Sequence, residues 1–308
     1  MYLTKEEEGI LEGESGDGLR RAMELLVALG DIKDASGLVS IASAHVSGVS
    51  YKTIGEAGLE LLHEWAATGT KVRVPTTSNP AGVDLEAWQE LGFPRAFAEK
   101  QKEIIDVYHK MGVQKSCTCT PYLAGNQPTY GADIAWAESS AVAFANSVLG
   151  ARTNRESGIS ALAAAMLGKI PCYGLHLEEN RRGTFIVEVE EELRGAWGYS
   201  AMGYHVAKMN GIPIFKGIRP SMDEMKVLGA ALATGGISMF HVEGVTPDCK
   251  EEKVEKLVLG RKELADASDS LNTCDGDVDI VCIGCPHCSR DEILEISKLK
   301  PSRETWVF

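Results

Sequence analysis

The sequence lacks what would take it to a membrane or a nucleic acid. No apolar run reaches the roughly 18 to 20 residues that a spanning helix needs. The opening MYLTKEEEGILEGESG is charged from its fifth residue and has none of the apolar core of a secretory signal. Lys and Arg number 31 against 44 Asp and Glu, a formal charge of -13, and the cations form no cluster. This argues against a nucleic-acid-binding surface, and neither nucleic acid nor membrane is expected as a partner. There is no low-complexity segment and no internal repeat. What is present, 44% hydrophobic and 24% charged residues, suits a globular chain, and 308 residues exceed one ordinary core. A cytoplasmic protein of two domains is expected. In a reducing compartment its eight cysteines serve better as buried thiols, metal ligands or redox groups than as structural disulfides.

Five of those cysteines gather in two places. In VDIVCIGCPHCS, Val278 to Ser289, a short apolar run predicts a buried strand, followed by a turn bearing Cys282, Cys285 and Cys288. Ser289-Arg290-Asp291-Glu292 then spells a capping box that opens a helix. The unpaired amides of a helix start favour thiolate over thiol. The second cluster is Ser116-Cys117-Thr118-Cys119-Thr120-Pro121-Tyr122, while Cys172, Cys249 and Cys274 are scattered. Three chemistries are open to these thiols. Cys285-Pro286-His287-Cys288 has the form of a thioredoxin-like site, but the 20 residues after Cys288 are too few for the rest of that fold. A structural zinc site from Cys117, Cys119, Cys285 and Cys288 has poor spacing. An iron-sulfur cluster tolerates ligands from distant loops. Spacing alone leaves the last two open.

In chain order, Thr4 caps a first helix, and Leu19, Ala22, Met23, Leu26 and Leu29 recur at helical spacing until Gly30. A strand over Gly37–Ala44, a helix from about Thr53 to Ala67 and a strand over Lys71–Pro75 predict a crossover unit of a parallel sheet. Ligands bind at the carboxyl ends of such strands, where His45, Ser47, Thr76, Ser78 and Asn79 fall. A helix over Glu99–Met111 follows. A largely apolar helix over Ile134–Leu149 carries Glu138, Ser139, Ser140 and Asn146, polar groups in need of partners or a ligand. The turn Gly150 to Gly158 offers Arg152, Asn154 and Arg155, suited to a carboxylate or phosphate, with an internal ion pair to Glu156 or Glu138 equally open. A small-residue helix, Ser160–Leu167, comes next. From Thr184 the alternation resumes as a second domain: strand Thr184–Val189, helix Trp197–Met209, strand Ile212–Phe215, helix Met222–Thr234 and strand Ile237–Val242. Charged helices are expected from Lys250 to Asp269, as a solvated face. The final Glu304–Phe308 is an apolar β-type run directly after a helix, and the chain is expected to be shortened there or to continue outside this sequence. The border between the domains is placed at 180/181, giving 1–180 and 181–308.

Taken together, AHVSGVSYKTIGEAGLELL (Ala44 to Leu62), TTSNPAGVD (Thr76 to Asp84), the long run from Cys117 to Glu156, YGLHL (Tyr173 to Leu177) and GCPHCS (Gly284 to Ser289) resemble the aconitase X family, specifically its catalytic large subunit, over almost the whole chain. The resemblance implies an α/β fold of aconitase-like three-layer α/β/α domains around a central cleft, with a swivel domain on a separate small subunit. It implies a hydro-lyase carrying an iron-sulfur cluster of the 4Fe-4S type. One branch of the family dehydrates (R)-mevalonate 5-phosphate to trans-anhydromevalonate 5-phosphate in an archaeal mevalonate pathway; another dehydrates cis-3-hydroxy-L-proline. The AHVSG and SCTCTPY motifs look more like the first, so the expected ligand is a phosphorylated hydroxy acid. The resemblance places cluster ligands at Cys119 and Cys285, with Cys117, Cys282 and Cys288 as neighbours. The third ligand belongs to a TDTC-like motif that does not occur here and is expected beyond Phe308. It implies a base on a serine of the small subunit. On this chain, Ser139 and His287 are assigned to catalysis, and His45, Ser47, Ser140, Asn146, Arg152, Asn154, Arg155 and His176 to substrate binding. The alternative of another class is a non-catalytic zinc- or thiol-bearing α/β scaffold.

Overall fold

The computed structural model describes residues 1–193, 195–249, 255–274 and 276–308. They form two compact units, one of residues 1–138 and 151–180, the other of 139–150 and 181–308. Among the described residues no helix is long and apolar enough to cross a membrane.

The first unit opens on α1 (Lys5–Leu11), closed by the expected Thr4 cap: Thr4 Oγ1 accepts from the Glu7 amide while the Glu7 carboxylate accepts from the Thr4 amide. The predicted stripe of α2 (Asp17–Ile32) is buried at Leu19, Ala22, Met23 and Leu26. Gly30 lies inside this helix rather than ending it, and a Cβ there would sit 2.5 Å from the Met1 sulfur. Then come β1 (Leu38–Ser40), β2 (Ala44–Val46), α3 (Tyr51–Ala67), β3 (Thr76–Ser78), α4 (Arg95–Lys110) and β4 (Ala135–Trp136). With α5 assigned to the other unit, α6 (Gly158–Leu167) and β5 (Lys169–Pro171) complete the first. β1 pairs antiparallel with β5, and β2 is the centre of a parallel sheet ordered β3-β2-β4. Every residue of α6 from Ser160 to Leu167 is buried, as its nearly all-apolar sequence requires. It packs on α2 and on β2 and β4.

The predicted crossover sheet exists, but its strands start later than the apolar runs suggested. Gly37–Ala44 divides into β1 and β2, because Ile41 donates to Gly168 and Ala42 to Asp133 as the chain leaves one partner for the next. Lys71–Pro75 is not a strand: Val72 donates to Met111 and Arg73 to Ala165, and Pro75 has no N–H to offer a ladder. The β-branched Thr76 and Thr77 carry β3 instead. The helix expected over Ile134–Leu149 is likewise divided, since Ala135–Trp136 is strand β4 and helix begins only at Ser139. Such a buried apolar run has no periodicity that separates strand from helix.

The second unit begins with α5 (Ser139–Phe144), which continues as a π-turn over Ala145–Leu149 and is stopped by Gly150 in the left-handed region, φ 67°. Its parallel sheet is ordered β8-β7-β6-β9. The strands and helices are β6 (Phe185–Val189), α7 (Gly195–Val206), β7 (Pro213–Lys216), α8 (Met222–Thr234), β8 (His241–Val242), β9 (Glu255–Leu259) and α9 (Arg261–Leu271). They match the predicted alternation, with α8 at the expected bounds and the strand over Ile237–Val242 reduced to β8. The predicted charged helices fail over Glu255–Leu259, an edge strand parallel to β6 that buries Leu259; residues 250–254 of that prediction lie outside the described residues. Last come β10 (Ile280–Ile283), α10 (Arg290–Lys298) and β11 (Glu304–Val307), with β10 and β11 parallel neighbours. The Ser289 capping box opens α10 as read from sequence, but β10 is exposed or half-buried rather than core.

Candidate active site

The carboxyl ends of β2, β3 and β4 come together in the first unit, the usual ligand-binding edge of a parallel sheet. Asn79, just past β3, donates its amide to Val46 at the end of β2. After β2 the chain turns through Ser47-Gly48-Val49-Ser50, with Gly48 at φ 71°. The amides of Gly48, Val49 and Ser50 have no acceptor among the described residues. Gly48 and Ser50 are half-buried, so their amides are open to an anionic oxygen, whereas Val49 between them is buried. The sequence reading stopped at Ser47 and missed them; a glycine between serines after a strand was the available signal. The first residue of α6 presses on the same turn, since a Cβ on Gly158 would lie 2.4 Å from the Ser47 carbonyl oxygen.

His45 lies within β2 rather than beyond it and is fully buried. Asn79 Oδ1 can only accept, so His45 Nε2 carries the proton and donates to it at 2.8 Å. His45 Nδ1 then accepts from the Thr77 hydroxyl at 2.8 Å, and that hydroxyl accepts in turn from Asn126 Nδ2 at 2.9 Å. The ring meets Trp136 edge-on, centroids 6.1 Å apart. Burial holds the imidazole neutral, its pKa lowered to about 4. Both ring nitrogens are occupied, so this histidine orients Asn79 rather than offering itself.

The SCTC turn is laid along the end of β3. The Ser116 hydroxyl donates to the Ser78 carbonyl and accepts from the Ser78 amide, while Ser78 Oγ accepts from the Cys117 amide. Cys117 is held at φ 44°, and burial raises its thiol pKa. Cys119 follows at the edge, half-buried, between the buried Thr118 and Thr120.

The GARTNR turn runs as an irregular strand beside β4. Ile134 donates to Arg152, Trp136 donates to the Thr153 hydroxyl, and Glu156 donates to Trp136. Its residues are therefore spread along the sheet. Arg152 sits by Asp133, before the start of β4, and pairs with Glu178 at 2.9 Å, an internal ion pair with a different partner from those foreseen. Asn154 accepts from the Leu175 amide and donates to the Tyr173 carbonyl, so its amide holds the YGLHL loop. His176 bonds Asp133 through Nδ1 at 2.7 Å, and its Nε2 is buried without a partner. Arg155 alone is exposed, with no ion pair among the described residues. Glu156 beside it is buried; Ser160 donates to one carboxylate oxygen, the other has no partner, and burial raises its pKa.

In the second unit Ser139 and Ser140 form the first turn of α5. Asn146 is committed to structure: it donates to the Ser238 carbonyl and accepts from the buried Arg181. The Cys285–Ser289 loop is fastened to α8. Lys226 Nζ, buried, donates to the His287 carbonyl at 2.9 Å and pairs with Glu292, and the Ser289 hydroxyl bonds Asp223 at 3.0 Å. Cys285 is exposed and Cys288 half-buried, and no disulfide forms among the eight cysteines.

Cysteine thiolates are the donors an iron-sulfur cluster takes. Yet no three His, Cys, Asp or Glu side chains converge as a metal site among the described residues. These residues do not by themselves complete a cluster site, and no chemical step is derived through one.

The family model described as Aconitase X first domain matches residues 1–179, and that described as Aconitase X second domain matches 183–269. The Phosphomevalonate dehydratase large subunit of Methanocaldococcus jannaschii is 52% identical over 327 residues, covering 100% of this chain and 81% of that protein. Its counterpart in Methanothermobacter thermautotrophicus is 50% identical, covering 100% and 80%. The Cis-3-hydroxy-L-proline dehydratase of Pseudomonas aeruginosa is more distant, 36% identical over 95% of this chain and 53% of its own length. The crystal structure of Thermococcus kodakaraensis aconitase X in its holo-form superposes with a TM-score of 0.93 at 48% identity, over 100% of this chain and 81% of that one. With its two matched domains, its parallel-sheet edge and a near-superposable solved relative, the chain belongs to the aconitase X family.

Proposed function

We propose that this chain is the large subunit of a hydro-lyase that dehydrates (R)-mevalonate 5-phosphate to trans-anhydromevalonate 5-phosphate, working with a small swivel-domain subunit. The observation that carries this reading is the identity of about half its residues, over its whole length, with archaeal phosphomevalonate dehydratase large subunits. The hydroxyproline dehydratases stand at 36% or below.

Such a substrate is strongly anionic, while the chain is acidic overall at -13. Attraction must therefore be local, and the unpaired amides of the half-buried Gly48 and Ser50 supply it without a net charge. Arg155 adds an uncommitted guanidinium. Ser47 lines the same turn, and Ser139, Ser140 and His287 remain assigned to substrate or proton handling. His45, Arg152, Asn154, Asn146 and His176 are assigned to holding these segments in place. The thiolates of Cys119 and Cys285 are the donors this reading gives to a 4Fe-4S cluster.

The test is anaerobic co-expression with the small subunit, iron and sulfide analysis, and turnover of mevalonate 5-phosphate beside cis-3-hydroxy-L-proline. Consumption of the phosphate with release of the unsaturated acid supports the reading. Consumption of the proline alone moves the chain to the other branch. A colourless protein that binds zinc and turns over neither compound restores the scaffold alternative.

A further inference from the structure

We propose that Gln101, a residue of α4 that no motif marks, is a positioning residue that sets the Gly48–Ser50 amide cradle for the anionic end of the substrate. This deepens the function proposed above and rests on it.

Gln101 is 0% exposed. Its Oε1 accepts from the Tyr51 amide at 3.1 Å and the Gly82 amide at 2.9 Å, and its Nε2 donates to the Val49 carbonyl at 2.8 Å. Two amide donors at one end and a carbonyl at the other settle which way the side-chain amide points. Val49 and Tyr51 bracket Ser50, so Gln101 grips the turn on both sides of the half-buried Ser50, whose amide and that of Gly48 form the cradle. Gly82 belongs to the loop after β3, and the same Oε1 joins that loop to the loop after β2. The two loops touch so closely that a Cβ on Gly82 would lie 2.3 Å from Ser50 Oγ and 2.9 Å from Gln101 Oε1.

The grip is rigid because α4 is. Its neighbours Ile104, Ile105, Val107 and Tyr108 are buried in the core of the unit. Without Gln101, two amides and a carbonyl lose their partners in a place that water reaches poorly, and the turn relaxes to find others. A cradle works by presenting its N–H groups already aimed, so a small displacement weakens it far more than it weakens the fold. With no accessible surface, Gln101 cannot itself touch a ligand. Its effect passes entirely through the loop backbone.

The test uses the full large chain with its small subunit, assayed on mevalonate 5-phosphate. Gln101→Leu keeps the volume and removes all three bonds; Gln101→Glu keeps both acceptor bonds and loses the donor to Val49. The KM is expected to rise about 10- to 100-fold in Gln101→Leu and less in Gln101→Glu, with a smaller change in kcat. Ile105→Val, on the same helix and also buried, is expected to lower the melting temperature without moving KM. A Gln101→Leu enzyme that melts lower with an unchanged KM overturns the proposal. Should that variant not fold, an unchanged KM in the isosteric Gln101→Glu overturns it equally. If the wild-type enzyme consumes neither proposed substrate, the function has failed rather than the clamp. The clamp is then read by titrating the large chain with inorganic phosphate: weaker binding in Gln101→Glu than in wild type supports it, and equal binding overturns it.

Discussion

Replacing His45 by glutamine removes a buried group whose charge state separates the folded from the unfolded chain. In the folded protein its pKa falls from 6.5 to about 4, because burial opposes the imidazolium by more than the bond to Asn79 favours it. The unfolded chain takes up the proton first as pH falls, so stability from this group is complete above pH 6.5 and is lost on the way down to 4. The slope is about 1.4 kcal/mol per pH unit, or about 2 kcal/mol between pH 7 and pH 5. At pH 7 the substitution costs about 2 to 4 kcal/mol, for lost ring volume and one unpaired member of the Thr77–Asn79 pair. The gap between wild type and variant is therefore expected to be widest at pH 7 and to narrow by about 2 kcal/mol at pH 5. Hydrogen exchange of the buried α6 peptide reads this for the first unit alone. Glu156 titrates in the opposite direction but is present in both proteins and cancels in the difference. Parallel pH curves for the two proteins would refute the assignment of His45 as a buried neutral group.

Glu156→Gln is expected to gain stability relative to wild type as pH rises from 4.5 through the folded pKa of Glu156, since burial raises that pKa above its unfolded value and ionisation costs the wild type stability the variant keeps; urea unfolding at several pH values checks this, and no relative gain of the variant with rising pH contradicts it. Gly158→Ala forces a methyl group against the Ser47 carbonyl, 2.4 Å away on the unrelaxed backbone, and is expected to cost about 1 to 3 kcal/mol and to weaken substrate binding by moving the turn after β2. A melting temperature and KM both equal to wild type would show that α6 does not brace that turn.

Much of the second unit was legible from the sequence because β6, α7, β7 and α8 carry their own punctuation. The Ser221 capping box marks the start of α8, and Ser289-Arg290-Asp291-Glu292 does the same for α10. The first unit was harder. Ile134–Leu149 read as one helix because its small apolar residues have no period, and only the pairing of Ala135 and Trp136 with Ala44 and His45 makes β4 a strand. Glu255–Leu259 read as helix for its charges, and only its place beside β6 makes it a strand.

The sequence by itself determined the family, through long runs such as SCTCTPYLAGNQPTYGADIAWAESS, and determined which residue types stand ready at the candidate site. Tertiary structure decided which of them are committed elsewhere. Arg152, Asn154, Asn146 and His45 look alike as conspicuous polar residues of the sequence, but each spends its hydrogen bonds on a distant segment: Glu178, the Tyr173–Leu175 loop, Ser238 with Arg181, and Thr77 with Asn79. The groups left with unused bonding capacity include the backbone amides of Gly48 and Ser50, which one-letter code does not display, in a turn held by Gln101, fifty positions further along the chain from Tyr51. A free donor is defined by the absence of a partner, and partners more than a few residues apart are chosen only when the chain folds.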